Sequence, residues 1–390
     1  MEFAFSDEQE MIRASAESFL AEVSNSTAVR AAMSSAGGYD PELWQRLCSE
    51  MYWPALLIPE QYGGMGLGFV ELAILLEQMG RRLLASPFFA TACLATPALL
   101  IAASHGQKQQ WLRAIAEGRL RATLAYAGHN RWDVAGVEAS VVVEGSGYRL
   151  NGTLHYVLDA DSAELLIVAA RTPGSRRNHG ISLFAIDAHS SGVNRHPQLG
   201  MDQTRRQGRI ELTDLLVGAE SLLGEFGGAG EPLEQILQVA CIGLAAEQTG
   251  GAQQALDLTV AYSLERQQFG RQIGSFQAVK HRAADMMVQV ECARSAAYYA
   301  ACVAQEWLDP TGDAEVSAQL PLASALAKVQ CSEAFFHCAA ESIQLHGGVG
   351  FTWEYDPHLY FKRARASESF LGAPAWHRER IATQILGEMS

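Results

Sequence analysis

The hydrophobic period changes twice along the 390 residues, and that change limits the possible folds more than any single motif. Up to about residue 118, apolar side chains recur at helical spacing. Between about 119 and 222 the runs ATLAYA, SVVVE, YRLNGTLHYVLD, ELLIVAAR, ISLFAID and GRIELTDLLV are short, β-branched and partly alternating. Gly, Asn and Ser punctuate them at near-regular intervals, the pattern of an antiparallel β module. Helical spacing then returns and continues to the end. The expectation is an α+β multidomain protein. It has an N-terminal helical domain (1–118), a middle antiparallel β domain (119–222) and a C-terminal four-helix bundle (223–390).

Local signals sharpen this outline. Ser6 with Gln9 reads as a capping box ahead of Met11, Ile12, Phe19 and Leu20. Asp40-Pro41 opens a helix through Trp44 and Leu47, with Asp as cap and Pro at the first position. The stretch Pro59 to Phe69 is glycine-rich, but its glycines lack the G-x-G-x-x-G spacing and strand-then-helix setting of a dinucleotide loop. It reads as a linker, and Arg171 to Gly180 reads as a polar loop. Four long helices are predicted at 231–266, 275–307, 314–345 and 357–387, the last two set off by Asp309-Pro310 and Asp356-Pro357. Their alanine content lets helices approach closely.

A formal charge of −14 argues against a nucleic-acid binder and gives no attraction to anionic membranes. A local group of arginines and backbone N–H donors can still hold an anionic ligand. The most apolar run, Phe88 to Ala103, is interrupted by Pro97 and too short to span a bilayer. MEFAFSDEQEMIR is too acidic for a transit peptide and has no signal-peptide apolar core. The seven cysteines form no C-x-x-C pair, so free, buried thiols in a reducing cytoplasm are expected.

The chemistry concentrates in Tyr262 to Met286, where Arg266, Gln268, Phe269, Gly270, Ile273, Phe276 and Gln277 crowd a break between two helices. Arg presents a planar fork of donors suited to phosphate oxygens, and the two phenylalanines offer flat apolar surface. Alone this is weak, because an arginine at a helix end is more often a surface charge or dipole partner. The run RQQFGRQIGSFQAVKHRAADM, however, resembles the signature of the acyl-CoA dehydrogenase family. A second resemblance follows downstream in QLHGGVGFTWEYDPHLYFKR, Gln344 to Arg363.

That resemblance implies FAD-dependent α,β-dehydrogenation of an acyl-CoA thioester. A glutamate takes the α proton while the flavin accepts hydride, and FAD lies across a subunit interface. Arg266 falls where the family clamps the diphosphate, with Gln268, Phe269, Ile273 and Phe276 on the same wall. Gln344, Gly347 and Gly348 fall at the adenosine side.

The flavin half looks eroded. Tyr126 to Asp133 stands for the family's E-P-x-x-G-S-D loop and Tyr156-Val157-Leu158 for its W-I/V-T/S strand, so Leu158 replaces the hydroxyl donor. Leu371 stands at the commonest position of the base, and Ala240, followed by Cys241, at the alternative one. Glu247, two turns beyond Ala240, is a weak substitute, and Glu368 another. His281 and His346 lack partners at metal-ligand spacing, so no metal is expected. Arg205 and Arg206 read as surface or interface charges ahead of CoA ligands.

The expected protein is thus one subunit of a heteromeric dehydrogenase, resembling α2β2 enzymes that act on bulky CoA esters such as steroid side chains. A related subunit would hold the flavin ring and the glutamate, and electron-transfer flavoprotein is the acceptor the family implies. The alternatives are a self-sufficient homo-oligomer using Glu247, and a non-catalytic assembly protein of the same fold.

Overall fold

A computed structural model describes residues 5–129 and 131–387. The first helices are α1 (Asp7–Val23), α2 (Ser26–Ser34), α3 (Pro41–Ser49), α4 (Phe69–Arg81), α5 (Thr96–Ala102) and α6 (His105–Ala116). Strands follow: β1 (Ala122–Ala125), β2 (Ser140–Glu144), β3 (Gly147–Leu158), β4 (Leu165–Arg171), β5 (Ile181–Asp187), β6 (Val193–Gln198), β7 (Gln207–Gly218) and β8 (Leu222–Leu223). Next come α7 (Gly230–Glu265), β9 (Gln267–Gln268), β10 (Arg271–Gln272) and α8 (Gln277–Leu308). The chain closes with α9 (Ala314–Ser317), α10 (Leu320–His346), α11 (Pro357–Ser369) and α12 (Pro374–Leu386). The helix–strand–helix order matches the two changes of period in the sequence.

Two compact units are present. One holds the chain up to Ala31, Phe69–Leu84 and everything from Cys241 onward. Its α1 starts with the predicted capping box: Ser6 Oγ accepts from Gln9 N, and Gln9 Oε1 accepts from Ser6 N. Helices α7, α8, α10 and the α11–α12 pair build the bundle. Glycine sets one packing distance: a Cβ on Gly80 of α4 would lie 1.9 Å from Glu247 O, and one on Gly250 of α7 1.8 Å from Glu77 O. The two backbones touch, and no larger residue fits there.

The predicted helix 357–387 is two helices. Leu371 (φ +60°) and Gly372 (φ +101°) are left-handed, and Pro374 restarts the chain as α12. A single helix cannot pass through such a pair. The segment 314–345 likewise splits, because Pro321 at the start of α10 removes an N–H that a continuous helix would need.

The other unit comprises Ala32–Gly68 and Ala85–Ala240. Asp40 caps α3 with Pro41 in its first turn, as the sequence indicated. The glycine-rich linker folds back on itself: Met65 N and Leu67 N donate to Ala55 O and Leu56 O. The sheet runs β6-β7-β3-β2-β4-β5-β8, with β1 beside β4. It is antiparallel except for β1 against β4 and one pairing of β2 with β4. Buried on both faces, β4 reads as an unbroken apolar run, whereas the first half of β7 alternates. Leu150, Leu154, Leu166, Val168, Phe184, Ile210 and Leu212 lie at the centre of its core.

Candidate functional site

In the bundle unit, α7 ends at Glu265 and the chain reverses through β9 and β10. Sequence reading expects an irregular turn here; the structure has a two-residue hairpin. Phe269 (φ +52°) and Gly270 (φ +75°) form its loop, both left-handed as a primed turn requires. The hairpin lifts Phe269 into solvent, 91% exposed. Phe276 packs edge-on to it at 6.1 Å, with the Arg271 guanidinium 4.0 Å over the Phe276 ring. Gln268 Nε2 donates to Gln267 O. Arg266 is exposed, and among the described residues its guanidinium has no acid partner.

The end of α10 meets the same region. One turn before Arg266, Tyr262 stacks on His346 at 4.3 Å, and Tyr355 meets both rings. His346 is buried, with Nδ1 2.7 Å from Ser342 O, and burial lowers its pKa. It is a packing residue of the helix end. Gln344, Gly347 and Gly348 are exposed beside it. Gly347 (φ +65°) ends the helix, and Cβ atoms on Gly347, Gly348 or Gly270 would meet no atom within 4 Å. The chain itself does not crowd these backbones, so the open space suits a ligand or neighbour from outside. Ile273 is half buried beneath the hairpin. Structure thus brings the two sequence motifs to one end of the bundle.

The positions that the resemblance assigns to the base are different in character. Leu371 is 2% exposed in the turn between α11 and α12. Its carbonyl accepts from His377 Nε2 at 3.0 Å and from Cys241 Sγ at 3.7 Å. Burial and the nearby Lys328 charge push His377 down to about 4, so it stays neutral and donates. Burial pushes the Cys241 thiol up to about 11, leaving it protonated. Ala240 is fully buried on α7. Glu247 forms an interior ion pair with Arg363 of α11, Oε1 to Nη1 2.5 Å. Glu368 is paired with Arg365. His281 is exposed, and among the described residues no group of three or more metal-ligating side chains occurs.

Sequence reasoning missed Lys328. Its Nζ, wholly buried, donates to Ser332 Oγ at 2.9 Å and to the last carbonyls of α11, Ser367 O at 3.2 Å and Glu368 O at 3.0 Å. Ser332 Oγ continues to Gln248, whose amide reaches Ser367 Oγ. The available signal was a lone lysine four residues before a serine, on the small-residue face of α10. The cysteines are all free; five are buried, Cys302 is half buried, and Cys292 is exposed, contrary to expectation. Cys292 lies on the outward face of α8, where alanine-rich spacing does not distinguish inside from outside.

In the β unit, Leu158 is 1% exposed and its carbonyl accepts from Thr123 Oγ1 at 2.8 Å. Tyr156, in place of the expected Trp, lies under the ring of Trp132, centroids 5.1 Å apart. Asn130 lies outside the described residues. Arg206 is held by Met33 O and Ser35 O, and Arg205 covers Phe89, so both are engaged within the unit. The exposed bundle end thus carries an arginine and uncrowded glycine backbone of the kind that suits a diphosphate, while the β unit offers no side-chain donor at position 158.

Residues 6–119 match the family profile of the acyl-CoA dehydrogenase N-terminal domain, and residues 228–386 that of the C-terminal domain. Acyl-CoA dehydrogenase IpdE2 of Mycolicibacterium smegmatis is 33% identical over 380 residues, covering 97% of this chain and 99% of the relative. The ChsE4-ChsE5 complex from Mycobacterium tuberculosis superposes with a TM-score of 0.88 at 25% identity, covering 100% of each chain. The Tcur3481-Tcur3483 steroid ACAD superposes with 0.84 at 29% identity, covering 97% of this chain and 98% of that one. The chain belongs to the acyl-CoA dehydrogenase family, whose cofactor is FAD. Among the described residues, no helix is long and apolar enough to cross a membrane.

Proposed function

We propose that this chain is the nucleotide-gripping subunit of a heteromeric, FAD-dependent acyl-CoA dehydrogenase acting on a bulky CoA ester such as a steroid side chain. The observation that carries the reading is a contrast. The end bearing Arg266 and Gly348 faces open space, while the position of the base holds a buried leucine whose carbonyl is already tied down. The paired ChsE4-ChsE5 and Tcur3481-Tcur3483 structures support an assembly of two unlike subunits, for which α2β2 is the proposed form. The boundaries 1–118, 119–222 and 223–390 are kept as the domain proposal.

FAD, when bound, supplies the hydride acceptor. Arg266 would hold its diphosphate, Gln268 and Gln344 would supply amide contacts, and Phe269, Ile273 and Phe276 would form the apolar wall. Gly347 and Gly348 let backbone approach the adenosine side. The related subunit contributes the ring site and the glutamate that removes the α proton. Electron-transfer flavoprotein is the proposed acceptor, and the free thiols support a cytoplasmic setting. A self-sufficient enzyme using Glu247 gains no support, since that carboxylate is clasped by Arg363 inside the bundle.

The test is co-purification with whichever related dehydrogenase subunit is encoded beside it, reading flavin absorbance per chain. The chain alone should carry little flavin, and the pair should be yellow and active. A lone chain with one flavin each and full turnover overturns the proposal.

A further inference from the structure

β3 loses its register with β7 between Leu154 and Val157, and Tyr156 occupies the break with φ +56°. A left-handed backbone at a bulky residue persists only where its surroundings hold it. Here Tyr156 N donates to Gln198 Oε1 at 3.0 Å, and His155 N donates to Ala127 O at 2.9 Å. The bulge aims the Tyr156 ring out of the strand, under the indole of Trp132, with 37° between the planes. The loop carrying that indole is fastened from both sides. Tyr126 Oη donates to Trp132 O at 2.9 Å, and Gly128 N donates to Gly136 O at 2.8 Å. The stack continues sideways: the His155 ring lies 5.9 Å from Tyr156 and 5.1 Å from His129. Among the described residues, His155 Nδ1 is buried without a hydrogen-bond partner.

We propose that Trp132 is a built-in plug, lying against Tyr156 where an isoalloxazine would stack, so that this chain's β unit excludes flavin. The inference rests on the split-cofactor reading above and adds its cause. Ring excludes ring, because two planar systems cannot share one face of Tyr156. Leu158 completes the exclusion: a flavin entering here would lose water from its ring heteroatoms and regain no hydrogen bond from that side chain.

Riboflavin carries the ring without the nucleotide tail, so it probes the shelf independently of Arg266. Titrated into the full-length chain and followed by flavin fluorescence, it should give no saturable quench with the natural protein or with Trp132→Phe, which retains an aromatic plug. The double variant Trp132→Ser/Leu158→Thr opens the shelf and supplies a hydroxyl; it should quench saturably, at least about tenfold tighter than the parent. Circular dichroism and thermal melting establish that each variant is folded. Saturable binding by the natural chain overturns the plug, a result that needs no variant to fold. A folded double variant blind to riboflavin also overturns it. If the lone natural chain is then still poor in flavin, the split-cofactor reading stands without the plug.

Discussion

Arg363 Nη1 lies 2.5 Å from Glu247 Oε1, with the two side chains 3% and 6% exposed. Taking two charges out of water is costly, and their mutual attraction offsets this only while both are present. Glu247 therefore acts as a counter-charge between α7 and α11. Glu247→Gln strands the guanidinium and should destabilise the chain by about 3–5 kcal/mol, seen as a lower melting temperature. Glu247→Gln with Arg363→Met should recover most of the loss. Turnover per folded complex should not change in either.

Lys328 makes stability depend on alkaline pH. Burial pushes its folded pKa down to about 8, from an ordinary 10.5. Between those values the unfolded chain holds a proton the folded chain has released, so stability from this group rises with pH across the window. The melting temperature of the natural chain should gain on that of Lys328→Met between about pH 8 and 10. A difference constant with pH would mean that the folded amine holds its proton as tightly as the unfolded one, so that burial does not lower its pKa.

His377 works at the acid end. Its folded pKa of about 4 lies below the ordinary 6.5, chiefly through burial. As pH falls through that interval the unfolded chain takes a proton the folded chain refuses, and stability is lost. Its advantage over His377→Gln should be full above about pH 6.5 and shrink towards pH 4, read from acid unfolding curves.

Arg266 should matter for flavin and little for folding, because its side chain makes no ion pair among the described residues. A charge-assisted hydrogen bond is worth roughly 1.5–3 kcal/mol. Arg266→Ala should thus weaken FAD retention in the assembled complex by about 10- to 150-fold, measured by flavin release on dilution. The melting temperature of the flavin-free chain should stay where it is.

Much of this was legible in residue order. The capping box at Ser6, the Asp40 cap and the reversal at Phe269-Gly270 depend on neighbours within a few positions, so local sequence specifies them. Its form as a hairpin is harder to read, because Phe269 is a rare residue for a left-handed turn position and Gly270 has to be weighed with it. The break at Leu371 is hidden in the sequence for a related reason. The carbonyl of the left-handed Leu371 is held by His377 of the next helix and by Cys241, 130 residues away in sequence.

By itself, the sequence determined the helix–strand–helix order, the likeness to the family, and the apolar identity of Leu158, Ala240 and Leu371, because periodicity and residue identity are properties of the chain alone. Only tertiary structure decided that Glu247 is committed to Arg363, that Lys328 ends α11, and that Trp132 lies on Tyr156. Each joins residues separated in sequence, and whether a charge or ring is free depends on what the fold sets against it.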